Sequence, residues 1–74
     1  MPVMFSINLQ RADHTRRYSI LPLADSGWEV RLEEDRRLTH QTCYRDWHRV
    51  ERAQAVFKLE VMELTAQGWA VTEG

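Results

Sequence analysis

The chain has 74 residues, of which 43% are hydrophobic and 28% charged, and its formal net charge is −1. This length accommodates one small domain, residues 1–74, and the composition excludes a wholly disordered chain. The near-neutral charge gives no general attraction to nucleic acid or to an acidic membrane. A core of this size is thin, so a metal, a disulfide or a partner is often needed for stability.

The first third of the chain has the two-residue alternation of β-strands. Apolar side chains occupy every second position of residues 3–10, which predicts a half-buried strand. The polar residues 11–16 predict a loop, and residues 18–21 predict a second strand. Pro22 either ends that strand or confines it to the edge of a sheet, because proline has no backbone N–H to donate.

Two further strands are predicted around a charged turn. Residues 24–27 have the Asp, Ser and Gly typical of a turn. Trp28, Val30 and Leu32 then alternate with charged residues, which predicts a strand with one apolar and one charged face. Residues 33–36 predict a charged turn, and the Thr-rich residues 38–44 predict a weaker fourth strand.

A long helix follows the predicted strands. Asp46 is a suitable N-cap, with Trp47 as the first helical residue. Neither Gly nor Pro occurs before Gly68, so the helix can run for about 20 residues. Gly68 suits the left-handed position after the helix, and Trp69 can pack back on Leu64, as in a Schellman motif. Residues 70–72 predict a short terminal strand or a frayed end.

The predicted helix carries two apolar stripes. At about 100° per residue, one arc predicts the face that packs on the sheet; its members are Val50, Ala53, Phe57, Val61 and Leu64. A separate arc has the spacing i, i+4, i+7, i+11, and its members are Ala55, Leu59, Met62 and Ala66, with Val56 beside it. Because one sheet covers only one face of a helix, this second stripe either stays exposed or is covered by something else. The candidates are the N-terminal strand, the Trp69 tail and a second copy of the chain.

His40, Cys43 and His48 bring metal-ligating and nucleophilic residue types together in the sequence. Zinc needs three or four such groups that converge, whereas a regular strand points His40 and Cys43 to opposite faces. A thiolate pair of Cys43 with His48 has no third orienting group, and the chain contains no phosphate-binding loop. We therefore expect no catalytic residues, no metal, no cofactor and no small-molecule substrate.

Cys43 is the only cysteine, which excludes a disulfide within the chain. A lone thiol is typical of a reducing compartment and predicts a cytoplasmic protein. The N-terminal residues lack the basic start and apolar run of a signal peptide, and no apolar segment is long enough to cross a membrane.

Arginine supplies nine of the ten basic residues, and Lys58 supplies the tenth. Arg recognises phosphates and guanine edges with two parallel hydrogen bonds, so a small nucleic-acid-binding or regulatory protein is the alternative function. Against it, residues 1–52 carry nine basic and eight acidic residues, which favours surface ion pairs or a protein interface. The candidate nucleic-acid-binding residues are Arg36, Arg37, Arg45, Arg49 and Arg52.

The order of short motifs distantly resembles the bacterial WGR domains over roughly residues 7 to 70. The matching segments are Arg16-Arg17-Tyr18, Gly27-Trp28-Glu29-Val30, Glu33-Glu34-Asp35-Arg36 and Gln67-Gly68-Trp69. In polymerase-associated members of that family the Trp of the Trp-Gly-Arg turn packs on DNA. Here Glu34 and Asp35 stand in place of the Trp and the Gly, and only Arg36 matches. The resemblance therefore implies nucleic acid only as the alternative partner.

Taken together, the patterns predict an α+β fold, with an antiparallel sheet of three to four strands packed against one long C-terminal helix. The predicted core comprises Phe5, Ile7, Tyr18, Ile20, Trp28, Val30, Leu32, Val50, Phe57, Val61 and Leu64. The predicted function is a non-enzymatic cytoplasmic protein-interaction module that associates with itself. Its predicted partner-binding residues are Ala55, Leu59, Met62 and Ala66.

Overall fold

Five antiparallel strands form one sheet, and a single helix packs on one of its faces. The computed structural model describes residues 5–72. The elements are β1 (Phe5–Arg11), β2 (His14–Pro22), β3 (Trp28–Glu34), β4 (Arg37–Tyr44), α1 (Trp47–Ala66) and β5 (Ala70–Thr72). The spatial order of the strands is β4-β3-β2-β1-β5. The α+β class is confirmed, but the sheet has five strands and not three to four.

The fifth strand comes from the residues after the helix. β5 pairs antiparallel with β1, and Val71 lies opposite Leu9. β1 is therefore an inner strand, with β2 on its other side. The predicted start of the first strand at Val3 lies outside the described residues.

The predicted loop over residues 11–16 is wrong in its second half. β2 already begins at His14, and Thr15 and Arg16 pair with Gln10 and Leu9. β2 is an inner strand that ends at Pro22, so the proline terminates the strand and does not mark an edge. The sequence pattern does not predict this part of the strand, because its side chains are polar. Arg16 occupies a position on the helix-covered face, where the alternation would place an apolar residue.

Two tight connections use backbone conformations that non-glycine residues rarely adopt. Asp35 and Arg36 join β3 to β4 with φ of 52° and 67°. Two successive positive φ angles are the geometry of a type I′ hairpin turn, which normally favours Asn-Gly or Asp-Gly. Before β3, Gly27 has φ of 131°, and a Cβ there would lie 2.9 Å from the carbonyl oxygen of Tyr44. Gly27 therefore allows the close approach of the end of β4.

The helix has the predicted limits at both ends. The Asp46 side chain accepts a hydrogen bond from the backbone N–H of His48 at 3.0 Å, which confirms the N-cap. At the other end the Trp69 N–H donates to the Leu64 carbonyl at 3.0 Å, and the Gly68 N–H donates to the Thr65 carbonyl at 3.2 Å. These two bonds, with φ of 101° at Gly68, define the predicted Schellman motif.

The core lies between α1 and one face of the sheet. The buried hydrophobic residues are Leu9, Tyr18, Ile20, Val30, Val50 and Phe57. The other predicted core residues pack partly buried around them: Phe5, Ile7, Trp28, Leu32, Val61 and Leu64. Leu9 was absent from the predicted core, yet it is only 1% exposed. It belongs to the same core cluster as Val50 and Phe57, and β5 pairs with β1 beside it.

Arg16 attaches the end of the helix to the sheet. Its guanidinium lies 5.6 Å from the ring centre of Trp69 and 2.8 Å from a carboxylate oxygen of Glu34. It also donates a 3.3 Å hydrogen bond to the buried Tyr18 hydroxyl. Burial raises the pKa of Tyr18 above its ordinary value, because the ionised phenolate would lose its hydration. This polar cluster is a structural connection between β2, β3 and the C-terminal end of α1.

Candidate functional site

The predicted partner-binding residues all lie on the side of α1 that points away from the sheet. At 100° per residue, this stripe is centred about 190° around the helix from the buried face. Leu59 and Met62 are 60% and 66% exposed, and both alanines are exposed. We call the set the outer stripe; its members are Ala55, Leu59, Met62 and Ala66.

Two of the three proposed covers are used elsewhere in the fold. β1 is an inner strand of the sheet, on the opposite side of α1. Trp69 packs against the core cluster and Arg16, and the residues after it pair with β1. Within residues 5–72, nothing covers the outer stripe. Among the described residues, neither intrachain cover that the sequence left open lies on the stripe, which is open to another molecule there.

Opposite charges border one side of the outer stripe. Arg52 and Glu63 lie on the same side of it, within about 20° of each other around the helix and about three turns apart along it. Among the described residues, neither side chain takes part in an ion pair. The ion pairs that do occur lie on the sheet: His14–Asp35, Arg16–Glu34 and Arg31–Glu29.

A second surface lies beside the outer edge of β4. An open groove of about 500 Å³ runs between this strand and the N-terminal half of α1. We call it the β4 groove. Its sheet side is lined by Val30, His40, Thr42 and Tyr44, and its helix side by Arg49, Arg52, Ala53, Val56 and Phe57. The floor is apolar, the polar side chains of the rim include His40, Arg49 and Arg52, and no carboxylate lines the groove.

A β-bulge divides β4 into two parts. Leu32 pairs with His40 and Glu33 pairs with Leu38, so Thr39 is the extra residue, and its hydroxyl donates to the Leu32 carbonyl at 3.2 Å. The stretch from His40 to Tyr44 is free of the bulge. Its alternate side chains face the helix and form the sheet side of the β4 groove.

The structure does not gather the five candidate nucleic-acid-binding arginines on one face. Arg49 and Arg52 line the β4 groove. Arg36 and Arg37 lie at the β3–β4 turn, and Arg45 follows the other end of β4, about 25 Å away along the strand. Arg36 lines a different groove with Arg16 and Arg17. Arg36 and Arg37 are thus separated from the other three arginines by the length of β4.

Cys43 and the two nearby histidines do not converge. Cys43 is exposed and pairs with Glu29, whereas His40 pairs with Leu32 on the helix-covered face, as alternation predicted. Across residues 5–72, no cluster of three His, Cys, Asp or Glu side chains is arranged to hold a metal ion. Over the same residues, no helix combines the length and the apolar character needed to span a bilayer.

The exposed Asp35 carboxylate stabilises the meeting point of two hairpins. It accepts a 3.0 Å hydrogen bond from the Thr15 backbone N–H and lies 3.3 Å from His14 Nδ1. Its own N–H donates to the Thr15 carbonyl at 2.8 Å. The Thr15 bond, followed by the His14 contact, lowers the pKa of Asp35, because both favour the ionised form. We interpret this cluster as structural.

Sequence reasoning missed the β4 groove. The alternation of His40, Thr42 and Tyr44 was visible as a pattern, but the side of the sheet on which Arg49 and Val56 would lie depends on how the helix crosses it. No local signal in the sequence gives that crossing.

Comparisons with protein-family models, with curated proteins and with solved structures give no match. The resemblance to WGR domains therefore stays a prediction.

Proposed function

We propose that the protein is a non-enzymatic interaction module that forms a homodimer, in which the outer stripes of two copies pack together. The observation that supports this most directly is the exposure of Leu59 and Met62 on the side of α1 opposite the core. Large apolar side chains grouped on one helix face are typical of protein contacts. The flanking Ala55 and Ala66 are small, so they allow two helices to approach closely. The lone thiol supports the reducing cytoplasm as the place of action.

The charges support an antiparallel arrangement of the two helices. A twofold axis perpendicular to α1 brings each flank of the stripe against the same flank of the second copy. The midpoint between Arg52 and Glu63 lies within about one residue of the midpoint between Ala55 and Met62. An antiparallel pair centred there places each Arg52 beside the Glu63 of the other copy. A parallel pair would place the charged flanks of the two copies on opposite sides of the contact, so Arg52 and Glu63 would not meet across it.

The exposed area supports a weak dimer. Complete burial of a Leu or Met side chain contributes about 1.5–3 kcal/mol. Leu59 and Met62 are 60% and 66% exposed, so covering both of them in two copies contributes roughly 4–8 kcal/mol. Association itself costs at least about 4 kcal/mol. With the ion pairs included, the favourable ends of these ranges leave about 5–6 kcal/mol, so the proposed dimer has a dissociation constant on the order of 0.1 mM.

Sedimentation equilibrium between about 10 µM and 1 mM tests the proposal, with Leu59→Glu as the disrupting variant. Each dimer would lose two apolar contacts and bury two carboxylates, so we expect at least about thirtyfold weaker association with an unchanged circular dichroism spectrum. Val71→Glu is the matched control, because Val71 is also 60% exposed but lies on β5.

The control should associate like the unmodified protein. A monomer at 1 mM for the unmodified chain would refute the dimer. Equal weakening by both variants would show that the charge added to the protein, and not the outer stripe, controls association.

A further inference from the structure

The β4 groove carries an inference beyond self-association: we propose that it binds an extended acidic segment of another protein, which adds as a sixth strand to the outer edge of β4. This surface is separate from the outer stripe, apart from Arg52 at their border. Its experiment therefore succeeds or fails independently of the dimer.

The edge of β4 is suited to strand addition. Edge strands present unpaired backbone N–H and C=O groups, and many proteins protect them with lysine, proline, bulges or a covering segment. The opposite edge of this sheet ends in a strand of only three residues. From His40 to Tyr44, by contrast, β4 contains neither Lys nor Pro and no bulge, and no described strand pairs with its outer side.

The groove beside this edge is positioned to receive alternate side chains of an added strand. Such a strand would lie about 4.8 Å from β4, with every second side chain directed toward the helix. There it would meet the wall formed by His40, Thr42 and Tyr44 and the apolar surface of Val56. Val56 is 51% exposed, so an apolar side chain of the partner would cover it. Main-chain hydrogen bonds would supply affinity, and the groove would supply specificity.

The charge of the groove selects an acidic partner. Arg49 and Arg52 line the helix side, His40 faces them from the sheet, and no Asp or Glu lines the groove. A carboxylate at an alternate position of the added strand could accept hydrogen bonds from both arginines. A second copy of this chain is a poor occupant, because pairing β4 with β4 would bring the Arg49 and Arg52 side chains of the two copies together. The favoured partner therefore alternates apolar and acidic residues on its groove-facing side.

The test uses a fluorescein-labelled eight-residue peptide whose groove-facing positions are Val, Glu and Val, with Thr between them. Its binding is followed by fluorescence anisotropy and by the backbone amide signals of the protein in solution NMR. We expect the amides of residues 40–44 to shift and to exchange more slowly with solvent. A peptide with Lys in place of Glu should bind at least about tenfold more weakly. A central Pro should abolish binding, because it removes a ladder hydrogen bond.

Arg49→Glu should weaken peptide binding at least about tenfold, and Arg17→Glu is the matched control, because Arg17 is an exposed residue of β2 outside the β4 groove. Leu59→Glu should bind the peptide like the unmodified protein, which separates this surface from the dimer. The proposal is overturned if binding is undetectable at 1 mM peptide, if the Lys peptide binds equally well, or if the shifts lie outside the groove. It is also overturned if a single-stranded oligonucleotide binds the groove more tightly than the acidic peptide.

Discussion

The charge pair that borders the outer stripe gives the sharpest test of the antiparallel dimer. Arg52→Glu alone and Glu63→Arg alone each replace an attraction with a repulsion, whereas the double variant restores opposite charges with their positions exchanged. Because of the twofold symmetry, each change acts twice per dimer. A parallel pair or a contact elsewhere would not recover in the double variant.

The size of the effect follows from exposure. An ion pair at a solvent-exposed rim contributes about 0.2–1 kcal/mol, and a like-charge contact costs a similar amount. Reversing two contacts therefore costs each single variant roughly 1–3 kcal/mol, which is about 5- to 150-fold in the dissociation constant. We expect the double variant to return to within a few-fold of the unmodified protein. Both effects should shrink as salt shortens the screening length.

Sedimentation equilibrium of the four proteins at low and high salt measures this cycle directly. Arg45→Glu is a control for net charge, since Arg45 precedes the helix and is exposed. The coupling between positions 52 and 63 is the difference between the double variant and the sum of the singles. If the singles associate normally, or if the double variant is as weak as the sum of the singles, the antiparallel arrangement is refuted.

Two predictions concern the β3–β4 turn. Arg36→Gly should raise the free energy of unfolding by about 0.5–1 kcal/mol. The left-handed conformation costs a residue with a side chain about 1–2 kcal/mol, and glycine avoids this cost. Part of the gain is offset because glycine increases the conformational entropy of the unfolded chain. Thermal unfolding should show a higher Tm, while Arg37→Gly, at a β4 position without positive φ, should lower it. Asp35→Asn tests pH dependence: the lowered pKa of Asp35 means that its stabilising effect is present above the unfolded pKa of about 3.9 and is lost as pH falls through the folded value. The variant should therefore lose less stability on acidification than the unmodified protein, and equal acid sensitivity of the two would contradict the role given to Asp35.

The elements that could be predicted from the sequence are those fixed by local chemistry. Asp46 and Gly68 limit the helix through hydrogen bonds to neighbours two to four residues away, and both were predicted. The alternation of apolar and charged residues in β3 likewise predicted that strand. The two helix stripes also follow from periodicity alone, so the residues of the outer stripe were predicted, whereas their role in binding stays a prediction.

The features that escaped prediction depend on contacts between distant parts of the chain. Arg16 is accommodated in its strand by the Trp69 ring beside its guanidinium and by the Glu34 carboxylate, and neither residue is near it in the sequence. The strand that pairs with β1 beside Leu9 comes from the far end of the chain. The β4 groove likewise requires the direction in which α1 crosses the sheet. Alternation and capping carry no information about these arrangements.

The pairing of β5 with β1 has a consequence for the order of folding. β1 to β4 form a meander of hairpins, so nearly all strand pairing joins neighbours in the chain and can form early. The β1–β5 ladder is the exception, since Asn8 pairs with Thr72 across the whole chain, and closing so long a loop carries the largest entropic cost. β5 should therefore dock last and open first. Each opening would leave β1 as a free edge, which makes this three-residue ladder the weakest protection against sheet-to-sheet aggregation.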